Sequence, residues 1–260
     1  MSHVSDTAST LWCDLGLPRC GKFRIFAAMQ ASPAEGALWY VVFLFSTSAH
    51  EAAHAWAALR LGDDTAARGG QVSLNPWPHV RREPFGMVIV PILSWILGGW
   101  MIGWASAPYN PEWARQYPQR AGVMAIAGPL ANLSLVLGAA LLIRVGIEWN
   151  VFTAPTSLGS MHMTDSLSTG PWEVAAMILS ITLSLNLLLC VFNLLPLPPL
   201  DGSSLPLILL PPGLAEKYQA VMKNPALSYI GLIVASRLFS PLFPHLLRGA
   251  ARILYPHEPY

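Results

Sequence analysis

Apolar runs of membrane-crossing length recur along this chain, at 38–61, 85–107, 121–145, 172–195 and 226–247. A hydrocarbon core about 30 Å thick is crossed by about 20 residues of helix rising ~1.5 Å each. The bilayer offers the backbone no hydrogen-bond partner, so such runs must close their hydrogen bonds internally. The expected fold is therefore an all-α polytopic membrane protein with about 4–6 membrane segments. Composition agrees, since 53% of residues are hydrophobic and 11% charged, where a soluble domain carries about 25% charged residues. A net charge of +1 gives no footing for a nucleic-acid partner. Cys13, Cys20 and Cys190 fit neither a disulfide framework nor a thiolate metal site, and Cys190 in its apolar run reads as core.

The runs are not uniformly apolar. The first contains His50-Glu-Ala-Ala-His54. Residues four apart share one helix face, so both imidazoles can reach one metal ion, and Glu51 beside them can take a proton from the attacking water. The competing reading, a polar face turned to solvent, is weak, because an ionisable cluster inside an apolar span is expensive and is a functional site by default.

Catalytic zinc usually takes three protein ligands, so two histidines leave one place open. His79, His162, Asp165, His245 and His257 sit in loops or near the end and look solvated. Asp201 differs. It follows the 172–195 run directly, after prolines that end the helix, and a carboxylate there can turn back toward the bundle. An Asp-Gly pair after a helix is by itself also an ordinary turn.

His50-Glu-Ala-Ala-His54 in an early span, followed by Asn193-Leu-Leu-Pro-Leu-Pro-Pro-Leu-Asp201-Gly202 after a later one, resembles the site-2 protease family of intramembrane zinc metalloproteases. The resemblance extends over about residues 36–202 and includes Ala127-Gly-Pro-Leu-Ala-Asn132, similar to that family's Gly-x-x-x-Asn element. It implies one Zn2+ per chain held by His50, His54 and Asp201, with Glu51 as general base. Asn132 then falls near the site, orienting substrate or steadying the oxyanion, where the plainer alternative is a helix-to-helix hydrogen bond. Asn193 reads as structural. The short form without a PDZ-sized insert resembles compact bacterial members.

The chain divides into a weakly patterned tail at 1–35, which lacks the marks of a signal peptide, a catalytic membrane core at 36–202, and C-terminal membrane segments with a tail at 203–260. Alternation over Gly70–Pro76 predicts a strand or hairpin near the site, able to receive an extended substrate by edge pairing. In the last run, Pro241 and Pro244 mark the expected helix end. If 85–107 crosses fully, Asp201 emerges on the far side from the end of 38–61. If it dips in and returns, at Pro91 or Gly98-Gly99, Asp201 comes back to the histidines, which favours a re-entrant segment. Arg60, Arg68, Arg81, Arg82, Arg115, Arg120, Lys217 and Lys223 then share one side, which the positive-inside rule assigns to the cytoplasm, and the compact form without a PDZ domain points to a bacterial inner membrane. The expected partners are a transmembrane protein substrate and the lipid bilayer. A non-catalytic relative keeping the fold, or a transporter, would also be membrane-embedded. The intact His50, Glu51, His54 and Asp201 disfavour the first, and the lack of an inverted repeat disfavours the second.

Overall fold

The computed structural model describes residues 32–98 and 101–260. Helix α1 spans Pro33–Leu61. It begins on a capping box, in which Ser32 and Glu35 each bond the other's backbone N–H, with Pro33 in the first turn where no N–H is needed. It ends at Gly62, whose φ of 105° is open to glycine at little cost. Two short helices follow, α2 at Thr65–Arg68 and α3 at Pro76–Arg82. A π-turn at Phe85–Ile89 leads into α4 at Val90–Gly98. An irregular stretch then reaches α5 at Pro111–Gln116 and the long α6 at Pro118–Glu148. A loop with a two-stranded antiparallel sheet, β1 at Phe152–Thr153 and β2 at Asp165–Ser166, precedes α7 at Pro171–Asn193. A 3-10 helix at Asp201–Ile208, then α8 at Pro212–Met222 and α9 at Pro225–Leu254, complete the chain.

Among the described residues three helices, α6, α7 and α9, are long and apolar enough to cross a membrane. Their outward faces carry Leu137, Leu141, Val174, Tyr229, Ile230 and Ile233, all exposed. The polar side chains Ser46, Ser48, Asn132, Ser180, Ser184 and Asn186 are fully buried instead. That distribution is turned inside out relative to a protein in water and suits one in lipid.

Helices α1, α6 and α7 pack together at the centre of the structure. The apolar core lies to either side of their polar seam. One cluster joins Trp39, Val42 and Phe43 to Ile181 and Leu185, and another joins Val136, Ala139, Ile143 and Leu183 to the end of α9.

Several expectations change. Residues 72–74 form bends, and no strand forms over 71–75. Asn75 caps the Trp77 N–H, Pro76 opens α3, and the Ser73 carbonyl that a strand would offer accepts from His79. Without a neighbouring strand the alternation has nothing to pair with. The sheet that does form lies in the α6–α7 loop. Pro241 and Pro244 do not end the last helix, which runs on to Leu254. A proline inside a helix costs about 3 kcal/mol. Here Leu247, Ala251 and Leu254 bury against α6 and α7 beyond the prolines, which offsets that cost.

The apolar segment after Phe85 turns back on itself. Ile102 N–H donates to Ser94 Oγ, Trp104 N–H to the Gly86 carbonyl, and Ser106 Oγ–H to Glu83, so its two ends meet.

Candidate metal centre

The middle of α1 presents its polar face to α6. His50 and His54 are 7% and 6% exposed, one turn apart and edge-to-face, with ring centroids 4.6 Å apart. Glycine decides how close α6 comes. A methyl group at Gly128 would overlap both Nε2 atoms, so the backbone at 128 is what roofs the two imidazoles. The adjoining Pro129 is carried inside α6 without ending it.

Asp201 arrives from the far end of the chain. Its segment folds tightly after α7, where the carbonyls of Leu194 and Leu195 leave no room for a side chain at Gly202. The 3-10 helix then packs along the start of α6, with Ile208 and the Ser204 carbonyl against Gly122. Asp201 Oδ2 thereby lies 3.1 Å from His50 Nε2 and 3.3 Å from His54 Nε2, while the two Nε2 atoms are 3.0 Å apart.

The far nitrogens of the rings are held as well. His54 Nδ1 lies 2.9 Å from the Met124 carbonyl and His50 Nδ1 lies 2.5 Å from Asn132 Oδ1. A carbonyl can only accept, so His54 carries a proton on Nδ1, and the neutral form of a ring so held turns a lone pair inward from Nε2. Lone pairs and a carboxylate oxygen this close repel one another unless a proton or a metal cation lies between them. A tetrahedral ion with bonds of ~2.0–2.2 Å keeps its ligand atoms about 3.3–3.6 Å apart. The observed triangle is close to that, and the N2O donor set suits zinc. Among the described residues this is the one group of three or more His, Cys, Asp or Glu side chains so arranged.

A cavity of about 380 Å³ opens beside the triad. Glu51, 7% exposed, lines it together with His54 and Asp201. Its other walls come from the returning stretch (Ala105, Ala107), from Pro198 and Pro199, and from Tyr218 and Gln219 on α8. Tyr218 donates to the Ser203 carbonyl and Gln219 to the Ala114 carbonyl, fixing α8 over the site.

The remaining candidates do not join this group. His79 is buried, not solvated, because α3 turns its Nε2 onto the Ser73 carbonyl. His162 pairs with Asp165 in the α6–α7 loop, and His245 and His257 are exposed. Asn193 bonds the Leu189 carbonyl of its own helix and makes no helix-to-helix bridge. Cys190 is buried in α7, as its apolar surroundings suggested, whereas Cys13 and Cys20 lie outside the described residues. The motif reading missed Ser46 and Asn186, whose one signal was polarity inside apolar runs, and the α8 wall, which has no local signature.

The sequence model of peptidase family M50 matches residues 38–236. The chain belongs to that family. It is 34% identical over 217 residues to "Putative zinc metalloprotease YwhC" of Bacillus subtilis (strain 168), covering 82% of this chain and 88% of the relative. It is 29% identical over 199 residues to "Putative zinc metalloprotease Rip2" of Mycolicibacterium smegmatis, covering 76% of this chain and 65% of that protein. A Mycobacterium tuberculosis protein of the same name is 32% identical over 161 residues, covering 62% of this chain and 52% of its own length. No solved structure matches the chain. Family M50 comprises the site-2 proteases, so the chain is a site-2-protease-like peptidase, and its apolar helices make it an integral membrane protein.

Proposed function

We propose that this chain is an intramembrane zinc endopeptidase that hydrolyses peptide bonds in the transmembrane segments of other membrane proteins, the step that carries out regulated intramembrane proteolysis. The observation that carries the proposal is the meeting of His50, His54 and Asp201 around one point, with Glu51 on the same cavity, although Asp201 is 151 residues from His50 in sequence.

His50 Nε2, His54 Nε2 and Asp201 Oδ2 are the atoms that would hold the ion. Zinc held there would supply a Lewis acid for the scissile carbonyl and would bring the pKa of its bound water toward about 7. Glu51 receives the proton of the attacking water and returns it to the departing amine, a role worth ~10²–10⁴-fold in rate. A substrate helix must lose its local hydrogen bonds before its carbonyl is accessible, and the cavity beside Glu51 is where the extended segment would lie.

The doubling back of 83–106 supports a re-entrant segment, which keeps the ends of α1 and α7 on one side of the bilayer. The side where α1 ends and α6 begins then carries Arg60, Arg68, Arg81, Arg82, Arg115, Arg120, Lys217 and Lys223. The opposite side, where Arg144 meets the end of α9, has Arg144, Arg248 and Arg252. This asymmetry supports a cytoplasm-facing site, and the bacterial relatives make the inner (cytoplasmic) membrane the natural location.

The test is zinc content and cleavage of a labelled single-span substrate by detergent-purified protein. One zinc per chain is expected, kept by Glu51→Gln with loss of cleavage and weakened in Asp201→Ala. Zinc-free wild type, or undiminished cleavage by Glu51→Gln, overturns the proposal in favour of a non-catalytic membrane protein.

A further inference from the structure

Behind His50, among residues that do not line the cavity, three buried polar side chains from three helices form a chain of hydrogen bonds. Asn132 Nδ2 lies 2.7 Å from Asn186 Oδ1, and Asn186 Nδ2 lies 2.9 Å from Ser46 Oγ and 2.8 Å from the Thr182 carbonyl. Ser46, Asn132 and Asn186 have no exposed surface.

An isolated asparagine amide can sit either way round, because its oxygen and nitrogen are nearly the same size. Here the choice is forced step by step. The Thr182 carbonyl only accepts, so Asn186 must turn its NH2 group toward it and its oxygen toward Asn132. Asn132 must then offer its own NH2 to Asn186, a direction reinforced by the Ser46 carbonyl at 3.5 Å. That leaves Asn132 Oδ1 facing His50 Nδ1 at 2.5 Å. An amide oxygen also only accepts, so the His50 proton stays on Nδ1 and the lone pair stays on Nε2. A histidine with its proton on the other nitrogen cannot ligate through Nε2.

We infer that Asn132 and Asn186 are positioning residues that fix the tautomer and ring orientation of His50 for metal binding, with the backbone carbonyl of Thr182 as the anchor of the relay. The inference rests on the zinc site of the proposed function. Both polar ends of the Asn132 amide are engaged within the protein, so its role is exerted through His50 and not by contact with substrate. His54 needs no such relay, because the Met124 carbonyl bonds its Nδ1 directly. The two ligands on one helix are thus oriented by different means, one by backbone and one by side chains that a substitution can remove.

The test is zinc retention against a competing chelator by full-length protein in detergent, with helicity and thermal unfolding of the metal-free form as the fold check. Asn186 does not touch His50, yet Asn186→Leu frees Asn132 to flip and is expected to lower zinc affinity ~10–100-fold, the range for partners that orient a ligating histidine. Asn132→Asp accepts from His50 whichever way round it sits. The double variant Asn132→Asp with Asn186→Leu is therefore expected to recover at least about tenfold over Asn186→Leu alone. A residue that merely glues helices together would show no such recovery. Wild-type zinc affinity in Asn186→Leu, or no recovery in the double variant, overturns the relay. If Asn186→Leu does not fold, the ¹⁵N resonances of the His50 ring in metal-free wild type decide: a proton on Nδ1 upholds the relay and one on Nε2 overturns it. Failure of wild type itself to bind zinc would instead remove the metal site on which the relay rests.

Discussion

The seam between α1, α6 and α7 and the contact made by α9 are both buried, yet they are held by opposite means. Hydrogen bonds link Ser46, His50, Asn132 and Asn186 across the seam, and Ser180 and Ser184 tie α7 to the loop that precedes it. Helix α9 leans on the bundle through Phe239 against Phe192 and through Leu247, Ala251 and Leu254, while most of its length faces outward. In lipid, apolar side chains gain little by meeting one another, so α9 is held mainly by packing, with one hydrogen bond from Arg144 to the Leu254 carbonyl at its end. Directional bonds in a low-dielectric interior fix a geometry that packing cannot. The chemistry lies in the seam for that reason.

Substitutions can break this contrast. The largest effect is expected at Gly128. Gly128→Ala puts a methyl group where the imidazole nitrogens lie and should abolish cleavage and lower zinc affinity about 100-fold, read by chelator competition. Survival of zinc binding would mean that α6 can draw back and that the seam is looser than its bonds suggest. Ser180→Ala comes next. It strands the Met163 and Thr164 N–H groups, both bonded to Ser180 Oγ, and should cost about 1–3 kcal/mol in thermal unfolding with zinc affinity unchanged.

Phe239→Ala, on the packed side, should cost about 1 kcal/mol and leave both zinc and cleavage intact. A loss of zinc would show that α9 shapes the site after all. The smallest effect concerns Asp63, just past α1. Burial raises its pKa, but donors from Thr65 and the Asn110 backbone outweigh that and hold it below the ordinary value of 3.8. A lowered pKa means that the ionised form is favoured in the folded state, so its stabilisation is complete above that value and is lost as pH falls below it. Asp63→Asn should flatten a small part of the acid-side decline in melting temperature without altering the behaviour near neutral pH.

How much could be read from the residues differs between parts of the chain. The extents of α1, α6 and α7 followed within a few residues from runs of apolar side chains and from the prolines and glycines at their ends. The 70–76 strand failed because alternation reports a strand only where another strand is there to pair with it, and an Asn-Pro pair serves equally well as a helix start. The helix end expected at Pro241 failed because burial of Leu247 and Ala251 outweighs a local cost. Ser46 and Asn186 were overlooked because a single polar residue in an apolar run reads the same whether it faces a partner helix or a metal ligand.

Spacing along one helix was enough to place His50, Glu51 and His54 together, since a four-residue interval is set by the backbone alone. Lipid as the surrounding solvent also followed directly, from long apolar runs with few charges. Only the tertiary structure could bring Asp201 to within 3.3 Å of both rings, roof them with Gly128, close α8 over the cavity and join three helices behind His50. Those contacts join residues up to 151 positions apart, and no local preference specifies them. They arise when packing of the helices lets each buried polar group find a partner in a medium that offers it none.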